Sequence, residues 1–275
     1  MKGGVADTDS NLAAIGLFDS GVGGLTVLRE VMRLLPGRDT LYLADNAHCP
    51  YGARTPAQVQ ALSEEISRYL LGRGAGVVVL ACNTASAAAL YHLRERFPAT
   101  PFVGMVPAVK PAAAETRSGV VGVLATPTTL GGALFSDVVE HHAGGVRVLT
   151  QECPGLVERV EAGDLAGPAT RTLLQRYVGP LLEAGADTLV LGCTHYPFLK
   201  ETIEGMAGPN VRVLDPSAAV ARQVQRVAGA GAAMREGRHI LISTGDPAPL
   251  QRAARQFLGL DVEVEVVTWH HGRLG

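Results

Sequence analysis

Residues 74–82 (GAGVVVLAC) and residues 185–193 (GADTLVLGC) are two similar stretches that indicate the architecture of this chain. In each of them a glycine and an alanine precede an apolar run that ends in a cysteine. Continuous apolar runs are typical of strands in a parallel sheet, where both faces are buried. A second similar pair, residues 15–20 (IGLFDS) and 121–126 (VGVLAT), is separated by nearly the same length of chain. Two similar halves are therefore predicted, although any two buried strands of an α/β protein look partly alike.

Short apolar runs alternate with helical patterns along most of the chain, which predicts an α/β fold with parallel strands and crossover helices. Strands are predicted at residues 13–18, 40–44, 77–81, 102–104, 120–125, 146–150, 188–192, 211–214, 240–244 and 262–267. The repeat predicts two similar doubly wound parallel-sheet domains related by pseudo-twofold symmetry, with the active site in the cleft between them. The first domain is expected to comprise residues 12–107 plus 216–275 and the second residues 108–215, after a flexible tail at residues 1–11.

Composition excludes several classes of partner. The chain has 275 residues, 47% of them apolar, and balances 24 Lys and Arg against 26 Asp and Glu. Without a dense basic stripe we predict no nucleic-acid partner. The longest strongly apolar run is far too short to cross a bilayer, and the polar start of the chain lacks the apolar core of a secretory signal. We therefore predict a cytoplasmic protein with no membrane partner, whose four cysteines stay reduced.

The two repeated cysteines, Cys82 and Cys193, fall at the carboxyl ends of predicted strands, the edge of a parallel sheet that faces a ligand crevice. If a substrate carbon lies between them, one thiolate can remove a proton from one face while the other thiol donates to the opposite face. Such a reaction inverts a stereocentre. The alternative is that each cysteine is a small buried hydrophobe. His195 could help to ionise a thiol or could simply cap a helix.

The glycine-rich stretch at residues 19–24 (DSGVGG) follows the first strand and opens the first helix. It resembles an anion-binding turn with an added carboxylate. Thr26 stands where a dinucleotide fingerprint has its last glycine, and the lysine of a P-loop is absent, so NAD and ATP are disfavoured. Asp19 would suit an ammonium group or assist a thiol, or it could be a helix N-cap. Residues 49–52 (CPYG) are typical of a turn.

Four motifs together resemble those of the bacterial glutamate racemases, within the aspartate/glutamate racemase family. They are residues 19–25 (DSGVGGL), 50–52 (PYG), 81–85 (ACNTA) and 192–197 (GCTHYP), in the family order and at similar spacing. The resemblance covers about residues 15–258. It implies a cofactor-independent enzyme that interconverts L- and D-glutamate and supplies D-glutamate for peptidoglycan. It also implies two similar α/β domains around the active site.

Carried over by motif, the resemblance implies that Cys82 acts as acid/base thiol on D-glutamate and Cys193 on L-glutamate. The residues implied to contact substrate are Asp19, Ser20, Tyr51, Gly52, Asn83, Thr84, Thr194 and His195. Asp19 and His195 would also assist the adjacent thiols. Glu161 resembles an acidic residue with a supporting role in the family, and the alternative for it is a solvated helix carboxylate.

Other interpretations use fewer of these residues. Aspartate racemases resemble the chain more distantly, because they have glutamate where His195 follows the second Cys-Thr. A hydrolase with one nucleophilic cysteine would leave the other idle, and a two-domain binding protein would use neither. Cys49 and Cys153 are predicted to be packed structural thiols. A metal site that uses Cys193, His195 and either His48 or Cys49 is conceivable, but no clustered four-ligand spacing supports it, so no metal is predicted.

The resemblance also implies partners. Family members are often dimers, so we expect a homodimer. A peptidoglycan precursor is a candidate activator, and glutamate is the expected small-molecule substrate.

Overall fold

The computed structural model describes residues 13–229 and 236–275. The predicted tail at residues 1–11 lies outside the described residues. The strands are β1 Ala14–Asp19, β2 Thr40–Ala44, β3 Ala75–Leu80, β4 Phe102–Val103, β5 Val120–Ala125, β6 Arg147–Glu152, β7 Thr188–Gly192, β8 Arg212–Leu214, β9 His239–Ser243, β10 Val264–Val266, β11 Trp269–His270 and β12 Arg273–Leu274. The helices are α1 Leu25–Leu34, α2 Pro56–Gly72, α3 Asn83–Arg96, α4 Val109–Glu115, α5 Pro127–Leu130, α6 Ala133–His142, α7 Leu156–Glu161, α8 Pro168–Glu183, α9 Lys200–Ala207, α10 Ser217–Ala228 and α11 Ala248–Ala253. Short 3₁₀ helices span Asn46–His48, Tyr51–Ala53 and Tyr196–Leu199, and a π-helical turn, Ala254–Leu258, continues α11.

The strands form two parallel sheets, as the sequence predicts. The first has the order β10-β9-β2-β1-β3-β4 and the second the order β6-β5-β7-β8. Every neighbouring pair in both sheets is parallel. Strands β2-β1-β3-β4, at one end of the first sheet, therefore follow the same order as the whole second sheet. The fold class is confirmed: the chain forms two similar α/β domains.

The strand register matches the repeat seen in the sequence. In the first sheet Gly16 of β1 pairs with Val78 of β3. In the second sheet Gly122 of β5 pairs with Leu189 of β7. These are the residues that the two sequence alignments place in equivalent positions. The cysteines that follow β3 and β7 consequently leave their sheets at equivalent points.

All ten predicted strands are present, with ends within two residues of the prediction. The antiparallel pair β11 and β12 near the end of the chain was not predicted, because its two-residue strands carry no periodic signal. The chain leaves the first sheet after β4 and returns to it at β9. The predicted domain limits, at 107/108 and 215/216, lie in these two connections and stay a prediction.

Local sequence explains where the helices begin. The hydroxyl of Thr55 accepts a hydrogen bond from the backbone amide of Gln58, whose side chain in turn accepts the amide of Thr55. This reciprocal cap, with Pro56 in the first turn, starts α2 as the sequence predicts. Among residues 13–229 and 236–275, no helix combines the length and the apolarity needed to span a bilayer.

One continuous apolar core joins the two domains. It contains Leu25 and Tyr42 of the first domain together with Leu156, Leu191 and Leu199 of the second. The opposite face of each sheet packs against a separate core. Because close-packed interiors transmit position from one element to the next, the shared core fixes the carboxyl ends of the two sheets relative to each other.

Gly74 and Gly185, which precede the two repeated strands, have φ angles of +90° and +89°. A Cβ atom at either position would have no neighbour within 4 Å. A substitution therefore costs backbone strain without a clash. We expect Gly185→Ala to lower the free energy of unfolding by about 1–2 kcal/mol, measured by urea denaturation.

Gly205 is the matched control, because it also faces open space but lies inside α9. Gly205→Ala is expected to raise the free energy of unfolding by about 0.5–1 kcal/mol, since alanine is the better helix former. Equal destabilisation by both substitutions would contradict the assignment of the cost to backbone conformation.

Candidate active site

Asp19, the last residue of β1, places a buried carboxylate at the junction of the two domains. Its Oδ1 accepts a hydrogen bond from the backbone amide of Ser20 at 2.6 Å. Its Oδ2 accepts two more hydrogen bonds. One comes from the backbone amide of Gly24, just before α1, and the other from the hydroxyl of Thr194 in the second domain, at 3.1 Å. Asp19 thus binds the amides at the start of a helix and also reaches across the cleft.

Burial and the neighbouring groups shift the pKa of the Asp19 carboxyl group in opposite directions. Burial raises the pKa of its carboxyl group, while the positive charge of His195 and a hydrogen bond with Cys82 lower it; the pKa ends above its ordinary value. A cationic ligand group at this position would compensate the buried negative charge.

Cys82 occupies the N-cap position of α3 and is 4% exposed. Burial raises the pKa of its thiol, the negative charge of Asp19 raises it further, and the amide of Ala85 in the first helical turn opposes them. The charge of Cys193 also raises the pKa, so the two thiols lie within electrostatic reach of each other. The pKa of Cys82 stands well above its ordinary value, and without a ligand the thiol is protonated at neutral pH.

Cys193 has a different neighbourhood, because a histidine and a glutamate lie behind it in a chain of contacts. Its sulfur is 3.8 Å from Nδ1 of His195, and Nε2 of that ring is 2.6 Å from Oε1 of Glu161. Burial lowers the pKa of His195, but its hydrogen bonds to Cys193 and Glu161 raise the pKa well above its ordinary value. The imidazole is therefore positively charged.

Glu161, the last residue of α7, is only 17% exposed. Burial raises the pKa of its carboxyl group, but the hydrogen bond and the charge of His195 hold the pKa below its ordinary value. The backbone amide of Val22 also donates to Oε1, at 2.8 Å. Glu161 is thus an ion-pair partner of His195, and the alternative of a solvated helix carboxylate is wrong.

Asn83 and Thr84 follow Cys82 at the start of α3. Both polar atoms of the Asn83 side chain are buried and have no hydrogen-bond partner among the described residues. Such atoms are costly unless a ligand pairs with them. The hydroxyl of Thr84 lies 3.0 Å from that of Thr126, at the end of β5. Sequence reasoning missed Thr126, although the repeat aligns it with Ser20 and so contained a signal.

The Tyr51–Ala53 turn places Gly52 against the cleft, whereas the Tyr51 side chain is buried. The Tyr51 hydroxyl donates a hydrogen bond to Oδ2 of Asp45 at 2.6 Å. The other oxygen of that carboxylate, Oδ1, accepts hydrogen bonds from the hydroxyl of Thr244 at 2.7 Å and from the indole N–H of Trp269 at 2.8 Å. Asp45 was also missed by the sequence analysis, although it directly follows β2, at a strand end like the other polar residues.

A cavity of about 240 Å³ separates the turn that carries Gly52 from the second domain. Thr126, Cys153 and Tyr196 line its other side. The thiol of Cys153 is buried and bonded to the carbonyl of Gln151 at 3.4 Å, in keeping with a packed structural thiol. Cys49 differs from this prediction: it is half-buried, with its sulfur 3.8 Å from Oε1 of Glu161.

The structure thus brings the predicted residues to one junction, and their contact with a substrate stays a prediction. Two thiols, a buried carboxylate and a charged imidazole occupy it, together with amides and hydroxyls from both domains. This set can exchange protons at a small polar molecule. A sequence profile of the Asp/Glu/Hydantoin racemases matches residues 15–224 of the chain.

The chain belongs to the Asp/Glu/Hydantoin racemase family. It is 56% identical over 245 residues to a glutamate racemase of Roseiflexus sp. (strain RS-1), an alignment that covers 87% of this chain and 90% of that protein. The fold is similar to the crystal structure of a glutamate racemase isoform from Bacillus anthracis, with a TM-score of 0.82, 30% identity and coverage of 95% and 98% of the two chains. It is equally similar to the Escherichia coli glutamate racemase in complex with L-glutamate and the activator UDP-MurNAc-ala, with a TM-score of 0.82, 32% identity and coverage of 93% and 98%.

Membership of the racemase family confirms the resemblance that the four sequence motifs indicate. It favours a racemase over a hydrolase or a two-domain binding protein. The structural relatives also share both α/β domains, because each alignment spans nearly the whole of both chains.

The ion pair of this racemase-family site can be tested by titration. Replacing the charge in Glu161→Gln is expected to lower the pKa of His195 while keeping a hydrogen-bond acceptor beside Nε2. NMR of the ¹⁵N-labelled imidazole rings measures that pKa directly. The exposed Glu158, on the same helix, provides the matched control in Glu158→Gln. An unchanged pKa of His195 in Glu161→Gln would contradict the ion pair.

The same pair predicts a sign for the pH dependence of stability. The pKa of folded His195 lies above the unfolded value of about 6.5, so the folded state binds the proton more tightly. This contribution is fully present below that value and is lost as the pH rises through the raised pKa. In Glu161→Gln the alkaline loss of unfolding free energy should be smaller.

Proposed function

We propose that this protein is a cofactor-independent glutamate racemase that uses two thiols, Cys82 and Cys193, as its acid and base. The observation that carries the proposal is their placement: each ends an equivalent strand of one domain, and the two lie within electrostatic reach of each other beside one buried carboxylate. The similarity to glutamate racemases over most of the chain supports glutamate as the substrate.

Polar groups of the junction provide binding sites for both charges of an amino acid. The buried, negatively charged neighbourhood of Asp19 suits the α-ammonium group. The unpartnered amide of Asn83 and the hydroxyls of Ser20, Thr84 and Thr194 suit the carboxylates. Gly52 lines the cleft in the same turn as the buried Tyr51, so its backbone suits the substrate as well. The first helical turn of α3 adds backbone amides, so no arginine is needed to hold the anionic groups.

The proton transfer follows from the different surroundings of the two thiols. With L-glutamate, the Cys193 thiolate takes the α-proton, and the charged His195 beside it stabilises the negative sulfur until then. The protonated Cys82 gives its proton to the opposite face of the carbanion, which forms D-glutamate. With D-glutamate the roles are reversed: Cys82 removes the proton and Cys193 returns one.

Substrate binding itself prepares Cys82 for the reverse reaction. The negative charge of Asp19 is one cause of the raised pKa of Cys82. An ammonium group beside Asp19 compensates that charge, which lowers the pKa and favours the thiolate. Asp19 therefore couples occupancy of the site to ionisation of this thiol, while Glu161 keeps His195 charged on the other side.

The similarity to glutamate racemases also supports a proposal for the cellular role, the location and the oligomeric state of the protein. We propose that the protein supplies D-glutamate for peptidoglycan synthesis in the cytoplasm and acts as a homodimer. The structure of the Escherichia coli relative with UDP-MurNAc-ala supports a peptidoglycan precursor as a candidate activator here as well.

The reaction and its substrate can be tested in one experiment. Purified protein is incubated in D₂O with L-glutamate or, separately, L-aspartate, without any added cofactor. NMR follows the loss of the α-proton, and chiral analysis follows the product. We expect exchange and racemisation with glutamate alone. Activity confined to aspartate would reassign the substrate, and no exchange with either would reject a racemase.

The two-thiol mechanism predicts asymmetric variants. Cys82→Ser and Cys193→Ser should each reduce racemisation by at least about a hundredfold, because one acid/base group is lost. Cys82→Ser should retain α-proton exchange only with L-glutamate, and Cys193→Ser only with D-glutamate. Cys153→Ser, at a buried thiol outside the pair, is the control. Racemisation at the original rate in either of the first two variants would exclude the mechanism.

A further inference from the structure

Cys49, Glu161 and His195 form a second cluster behind the two thiols. The sulfur of Cys49, a carboxylate oxygen of Glu161 and a ring nitrogen of His195 all lie within 4.8 Å of one another. Within that cluster the sulfur is 3.8 Å and Nε2 of the imidazole is 2.6 Å from the same oxygen, Oε1 of Glu161. The proposed racemisation gives Cys49 no role.

Local structure holds these three side chains together. Cys49 follows the 3₁₀ helix Asn46–His48 in the first domain, whereas Glu161 ends α7 and His195 follows β7 in the second. Gly21 lies between Cys49 and Glu161, where a Cβ atom would overlap Oε1 of the glutamate and lie 3.2 Å from the sulfur. The absence of a side chain at position 21 therefore keeps the space between the two ligands open.

The donor set matches a particular class of cation. Thiolate, imidazole and carboxylate are the protein ligands of Zn²⁺, at about 2.0–2.3 Å from the metal, which places tetrahedral ligand atoms about 3.3–3.8 Å apart. The 3.8 Å between Cys49 and Glu161 already agrees with that spacing. A metal ion would replace the proton between His195 and Glu161, and a small rotation of the glutamate would widen their short contact. Two anionic ligands balance a divalent charge.

Of the three proposed ligands, Glu161 also lines a cavity. A cavity of about 280 Å³ adjoins Glu161 and is lined by Val22, Phe198 and Arg252 among others. One water molecule needs a small part of this volume. A set of three protein ligands differs from structural zinc sites, which have four, and leaves the fourth position to water.

We propose that Cys49, Glu161 and His195 bind a thiophilic divalent cation, represented by Zn²⁺, and that the bound cation inhibits the enzyme. Binding releases the thiol proton of Cys49 and the Nε2 proton of His195. The ring keeps its Nδ1 proton beside Cys193. Inhibition comes from the metal itself, which replaces the ion pair of His195 with Glu161 and joins the two domains across the cleft. The inhibition, unlike the binding, rests on the proposed racemase function.

Cobalt is the probe for binding, because Co²⁺ enters zinc sites and a thiolate ligand gives it a charge-transfer absorption. Full-length protein, free of metal and kept reduced with a phosphine, is titrated with Co²⁺ and then with Zn²⁺. We expect thiolate-to-cobalt absorption at one ion per chain, lost on addition of zinc. In Cys49→Ala the absorption should disappear and the affinity fall by more than about tenfold.

Two further variants complete the binding test. Cys49→Ser retains a side chain of similar size and should also lose the absorption. Cys153→Ala removes a buried thiol outside the cluster and should keep both absorption and affinity. Absorption that persists in Cys49→Ala would assign the metal to Cys82 and Cys193 and overturn the proposal. Absence of absorption in the unaltered protein would overturn it as well.

Inhibition is measured separately with glutamate as substrate. Micromolar Zn²⁺ should inhibit the unaltered protein, a chelator should restore the rate, and Cys49→Ala should resist inhibition while keeping its metal-free rate. Equal inhibition of both proteins would overturn the regulatory part. The cobalt titration contains no substrate, so a protein that fails to racemise glutamate would still give a result for the metal site.

Discussion

The buried carboxylate of Asp19 joins the two domains and determines the charge of the space between them. It accepts hydrogen bonds from Ser20 and Gly24 on its own side and from Thr194 on the other. Its negative charge contributes to the raised pKa values of both Cys82 and His195. Because the site is buried, these charges act with little screening by water. The position of one strand end therefore controls the protonation of groups on two separate sheets.

Much of this arrangement could be predicted because buried parallel strands leave a strong trace in sequence. Their apolar runs are continuous, and the residues that follow them are constrained to one edge of the sheet. The repeated runs before Cys82 and Cys193 located both thiols. The pairing of Gly16 with Val78 in one sheet and of Gly122 with Leu189 in the other agrees with the two sequence repeats. The prediction succeeded where chemistry is tied to a strand end.

The remainder depends on contacts between residues that are distant in the chain, which periodicity does not encode. The ion pair of His195 with Glu161 joins the segment after β7 to the end of α7, in the second domain. The approach of Cys49 to Glu161 joins two domains, so its local context, a cysteine before a proline, predicted only a packed thiol. Thr126 differs from these residues, because the repeat aligns its hydroxyl with that of Ser20 and so carries a sequence signal. Contacts between residues on opposite sides of a cleft can be identified only when the relative positions of the two sheets are known.

The hydrogen bond between Trp269 and Asp45 gives the protein an optical property. Trp269 is the single tryptophan of the chain, so all indole emission comes from one position. Its N–H donates to the same carboxylate that holds the hydroxyl of Tyr51, and its ring meets that of His48 edge-on with centroids 5.0 Å apart. Indole fluorescence is sensitive to hydrogen bonding and to nearby charge. The emission of the native protein therefore reports, without any attached dye, on how the turn beside the cleft is held.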